Sequence, residues 1–118
     1  PPSVSEDFSI LPLCVYSQPR KFLIAVSELD SLINLFVSRV SRVREVEAVF
    51  CKREKTWVRV WTVIDQPVRQ VENEIYDAQF DLMDKFPEIS FDFVVIFRQG
   101  KTSDTVRPEG AIRAFPRR

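Results

Sequence analysis

Residues 43–97 set two β-prone runs, one amphipathic stretch and a third β-prone run in succession with little slack between them, and this order restricts the chain more than any other feature. In residues 45–52, Val46, Ala48 and Phe50 alternate with Glu45, Glu47, Val49 and Cys51, the period of a pleated strand. The charged Arg53, Glu54 and Lys55 interrupt the pattern before it resumes from Trp57 to Ile64. A short polar break between two such runs predicts an antiparallel hairpin, although no Asn-Gly or Asp-Gly fixes a two-residue turn. The second run is apolar on both faces, with Trp57, Arg59, Trp61 and Val63 on one and Val58, Val60, Thr62 and Ile64 on the other. A strand with two buried faces belongs at the centre of a sheet, or under a partner or the chain termini.

Asp65, Gln66 and Pro67 stop that strand and supply helix-start chemistry: a polar acceptor and a proline suited to the first turn. Val68, Val71, Ile75, Ala78, Leu82 and Phe86 then recur at three- and four-residue spacing, a helical stripe that Tyr76, Phe80 and Met83 widen. Pro87 ends the helix near Phe86. Ile89, Phe91, Phe93, Val95 and Phe97 alternate with Ser90, Asp92, Val94, Ile96 and Arg98 as a third strand, which Gly100 closes.

Ahead of this block the reading divides. Residues 22–26 (Phe22, Leu23, Ile24, Ala25, Val26) read alone as a buried strand, but Phe22, Val26, Leu29, Ile33, Phe36 and Val40 also form one helical stripe. Ser27 with Asp30 at the third following position resembles a capping box and favours a helix from Glu28. With 118 residues and 45% hydrophobic content the chain makes one domain. The expected fold is α+β: a single-domain two-layer sandwich with a predominantly antiparallel sheet and two helices on one face. It is ferredoxin-like (βαββαβ) if residues 22–26 are a strand. Residues 1–20 are expected to be a loose arm in which Pro12 weakens a short edge strand, residues 21–100 the core, and residues 101–118 a tail packing on the core or a partner. In outline this is similar to small bacterial domains, a likeness of architecture that carries over no site, activity or cofactor.

Chemistry is harder to find. The chain has no histidine, which removes histidine-based triads, histidine metal clusters and the commonest acid-base group near neutral pH. Cys14 and Cys51 are too far apart in sequence to suggest a metal cluster or redox pair. Glu74, Asp77, Asp81 and Asp84 share helical spacing and could offer oxygen ligands to a divalent cation, but a solvated helix face explains them as well. Arg39, Arg42 and Arg44 could hold phosphate, yet no glycine-rich loop accompanies them, and cations at a helix C-terminus are favourable in any case.

Formal net charge is zero, so no global field attracts nucleic acid or an anionic membrane. Charge is nonetheless uneven. Residues 65–92 hold eight acidic groups against Arg69 and Lys85, and residues 98–118 hold six basic groups against Asp104 and Glu109. A solvated acidic helix face and an ordinary basic tail account for this; the alternative is attraction between the tail of one subunit and the helix of another, which would weaken with salt. No apolar run is long enough to span a bilayer. The chain begins at Pro1 without methionine, as a processed chain or fragment would, and the lack of a secretory segment points to the cytoplasm.

The candidates that remain lie on two strands. Trp57, Arg59 and Trp61 share one strand face, either as core, as half of a subunit contact or as an aromatic and cationic ligand platform. Asp92 shares a face with Val94 and Ile96, and if buried it needs a donor such as Arg59 or Arg98. No catalytic, metal or cofactor residues are assigned. The expected function is a non-enzymatic interaction or regulatory domain that forms a homodimer through an apolar sheet face. The alternative is a small-molecule sensor or weak enzyme with a cleft near Arg59 and Asp92.

Overall fold

The computed structural model describes residues 24–116. Its elements are α1 (Val26–Val40), β1 (Ala48–Arg53), β2 (Trp57–Ile64), α2 (Arg69–Lys85), β3 (Ser90–Phe97) and β4 (Ile112–Phe115). They make an α+β domain with a mixed four-stranded sheet in the order β3-β2-β1-β4.

The hairpin is as expected: β1 and β2 pair antiparallel from Ala48 opposite Val63 to Arg53 opposite Val58. Glu54 N–H donates to the Trp57 carbonyl at 2.9 Å and closes the turn. β2 is central, and its Val58, Val60, Val63 and Ile64 are almost wholly excluded from solvent. After β2 the chain crosses over through α2 and returns as β3, parallel to β2 and in register over its whole length from Trp57 opposite Ser90 to Ile64 opposite Phe97. The ferredoxin-like order is therefore not the one adopted. A split βαβ places another strand between the two strands that a helix connects, and here β2 and β3 hydrogen-bond directly, leaving no room for one.

α1 begins at Val26, two residues before the Glu28 start expected from the capping box, and Ser27 lies inside the helix without a capping role. Entry to the helix is pinned earlier by main-chain contacts. Ile24 is buried, its N–H donates to the Lys55 carbonyl at 3.3 Å, and its own carbonyl accepts from Arg53 Nη1 at 2.9 Å. Ile24 and Ala25 are not in a strand, while Phe22 and the arm over residues 1–20 lie outside the described residues. The buried stripe of α1 is Leu29, Leu32, Ile33, Phe36 and Val40.

α2 buries Val71, Ile75, Ala78, Gln79 and Leu82. Its stripe is narrower than the expected one: Tyr76 and Phe80 face solvent. Asp65 does not cap it, because its carboxylate is used elsewhere, accepting from Gly100 N–H at 2.9 Å and lying 3.5 Å from Arg98 Nη1. That contact requires a tight reversal after β3, and Gly100 supplies it with a φ of +84°. No described helix is long and apolar enough to cross a membrane.

Two cores result. The larger joins both helices to Val49, Cys51, Val58, Val60 and Ile64, with Phe91, Phe93, Val95 and Phe97 packed against it, which is the expected inner face of β3. The smaller lies on the far side of the sheet, where Ala48, Phe50, Trp61, Val63 and Ala111 meet Ile96 and Val106. Its cover comes from residues 98–111, which fold back over the sheet before β4 joins β1 as an antiparallel edge. The tail thus adds a short edge strand.

Candidate functional site

The six candidate residues fall on the far face of adjacent strands, and the β2–β3 register sets their neighbours. Arg59 stands opposite Asp92, Trp61 opposite Val94, and Val63 opposite Ile96. Arg59 Nε donates to Asp92 Oδ2 at 2.9 Å, so Arg59 is the donor that Asp92 needs. The guanidinium also lies 4.8 Å from the Trp57 ring centre, within cation-π range. Lys52 flanks Arg59 from β1 and has its own acidic partner in Glu54, at 3.6 Å. The result is a polar row of Lys52, Arg59 and Asp92 across three strands, with each charge compensated locally.

Trp61 does not join this surface as an open platform, because it is only 8% exposed and belongs to the smaller core. Trp57 and Ile96 are half-buried, and Val94 is the most open of the four apolar candidates at 36%. The far face therefore combines an exposed apolar portion centred on Val94 with a partly buried polar and aromatic cluster.

Three residues outside the candidate set complete this face. Phe50 stands opposite Trp61 on one side and Arg113 on the other. The Arg113 and Arg107 guanidinium carbons lie 5.5 and 5.7 Å from its ring centre. Arg107 is fixed by two hydrogen bonds to the Ala111 carbonyl, at 3.1 and 2.8 Å, and Arg113 pairs with Asp104. Alternation marks Phe50 as a strand residue, but no periodicity marks either arginine. Arg98, the other proposed donor to Asp92, instead grips Glu47 through both Nε and Nη2, the second at 2.9 Å. These hydrogen bonds raise its pKa above the ordinary arginine value, so it stays charged.

The arginines at the end of α1 and the acidic row of α2 lie beside one another. Arg39 at the end of α1 pairs with Asp81 of α2, and both line a cavity of about 100 Å³ between the helices with Leu35, Phe36, Arg42 and Leu82. Glu74 and Asp77 lie beside Arg39 and Arg42 in an adjoining groove. Part of the acidic surface of α2 is thus offset by the basic end of α1 in the same chain. Among the described residues, no three of His, Cys, Asp and Glu are grouped so as to hold a metal ion. Cys51 is a free buried thiol at the base of a groove between α1 and β4. Burial, and secondarily the Asp30 carboxylate, push its pKa up to about 11.

In comparisons with known proteins, the chain matches no family model, no curated protein and no solved structure.

Proposed function

We propose that this domain is a non-enzymatic interaction or regulatory module that self-associates through the part of its sheet that the described residues leave uncovered. The observation that carries this reading is the unequal cover of the two faces. Two helices close one face, whereas residues 98–111 cover only part of the other and leave Val94 exposed beside Trp57 and Ile96. Burial of apolar surface contributes roughly 25 cal/mol per Å² before the costs of association, so a second copy that buries this region gains apolar burial that the described residues do not provide.

The charge arrangement supports an interaction role over a cleft. Arg59 and Asp92 neutralise each other at hydrogen-bond distance, so together they present no net charge to attract a charged ligand. Molar mass measured by sedimentation over a wide range of concentration and salt tests the proposal. A dimer forming with rising concentration is expected, and a monomer persisting at high concentration overturns the reading.

A further inference from the structure

The two edges of the sheet are protected very differently. β4 is four residues long, its register with β1 shifts between Val49 and Phe50, and Pro116 follows it directly. Shortness, a bulge and proline are all devices that keep an edge strand from pairing with another chain. β3 has none of them. It is eight residues long, keeps unbroken register with β2, and contains no proline or lysine. Its single charge, Asp92, is already held by Arg59.

We propose that the outer edge of β3 pairs antiparallel with β3 of a second copy, joining two four-stranded sheets into one about a two-fold axis at Val94. This rests on the self-association proposed above, and it moves the contact from the far face itself to the edge of the strand that carries Val94. An axis normal to the sheet keeps the helices of both copies on one side. Directly opposed residues must then share a face, so the axis passes through a residue and not between two.

Of the four centres nearest the middle of the strand, Val95 pairs only five of its eight residues, against seven about Val94. Asp92 at the axis would set two carboxylates directly against each other, a destabilising pair. Phe93 at the axis leaves the two Asp92 groups about 7 Å apart along the strand, at about 3.3 Å per residue, which is inside the ~8 Å screening length. Val94 at the axis separates them by about 13 Å along the strand, beyond that length.

The Val94 centre also completes both faces. On the helix side Phe91 meets Phe97 and Phe93 meets Val95, an apolar ladder built from side chains that a single copy leaves only half-buried. On the far side Val94 is covered by its own counterpart, Asp92 lies opposite Ile96, and Ser90 opposite Arg98. Zero formal net charge leaves no overall repulsion between the copies.

The test introduces cysteine into a Cys14→Ser background, in which the remaining native thiol, Cys51, is buried. Opposed β-carbons in an antiparallel pair lie about 4.5–5.5 Å apart, close enough for a disulfide after small adjustment. Val94→Cys is expected to form a covalent dimer on mild oxidation, and Ser90→Cys is not. Val94→Lys sets two ammonium groups face to face and is expected to weaken dimerisation at least tenfold by sedimentation, with unchanged far-UV circular dichroism. A protein that sedimentation finds dimeric but that crosslinks at Ser90→Cys in preference to Val94→Cys, or stays dimeric as Val94→Lys, overturns the edge pairing and leaves self-association standing. A protein that is monomeric throughout overturns both.

Discussion

Arg59 and Asp92 face each other on parallel neighbouring strands, 33 residues apart in sequence, with Nε 2.9 Å from Oδ2. Their side chains are 40% and 47% exposed, so solvent screens most of their attraction. A double-mutant cycle of Arg59→Ala and Asp92→Ala in urea denaturation is expected to give a coupling of about 0.5 kcal/mol, falling as salt rises. A coupling several times larger would mean that the pair is more deeply desolvated than this geometry implies.

Phe50 is fully buried under Arg107 and Arg113, so the smaller core should matter to stability. Phe50→Ala is expected to cost about 3–5 kcal/mol, a large share of the ~5–15 kcal/mol of a typical domain. Phe80→Ala, on the exposed side of α2, should stay within about 0.5 kcal/mol. Denaturant midpoints compare the two directly, and near-equal losses would contradict the placement of both rings.

Thr62 sits on the helix-side face of β2, and its buried Oγ1 has no hydrogen-bond partner among the described residues. An unsatisfied buried hydroxyl costs about 1–3 kcal/mol, whereas valine of the same shape carries no such cost. Thr62→Val should therefore raise the urea midpoint, by the equivalent of about 1 kcal/mol. A lowered midpoint would show that the hydroxyl is engaged.

Cys51 has its pKa raised from 9.0 to about 11, chiefly by burial. In a Cys14→Ser variant, its reaction with an aromatic disulfide reagent at pH 8 should be slow in the native protein and fast in urea. The direction of the linked stability follows. Below pH 9 the thiol is protonated in both states and stability does not depend on it. Between pH 9 and 11 the unfolded thiol ionises while the folded one keeps its proton, so stability falls, with no further loss above pH 11. Denaturation midpoints across that window, compared with Cys51→Ala, isolate the contribution.

Legibility in the sequence followed the range of the interactions. β2 and β3 could be bounded within a residue because alternation is local, and parity alone set Trp57, Arg59 and Trp61 on one face and Asp92, Val94 and Ile96 on another. Parity does not say which strands are neighbours, so the parallel pairing that unites those two faces was not readable. Nor was the burial of Trp61, since its cover comes from residues 98–111, where glycine, proline and scattered apolar side chains have no period. α1 starts ahead of its local capping signal for a related reason: Ile24 is held by Arg53 and Lys55 across the fold, and this outweighs the signal at Ser27.

The pairing of β4 with β1 also bears on synthesis of the chain. Cys51 finds Ile112, and Phe50 finds Arg113, only after some sixty further residues have been made. A ribosome that has released the hairpin but not yet the last strand exposes β1 as a raw edge with Val49 and Cys51 along it. Shielding of that strand is thus among the last acts of translation, and a premature stop before Ala111 leaves a three-stranded sheet whose exposed β1 has the appetite of an aggregation seed.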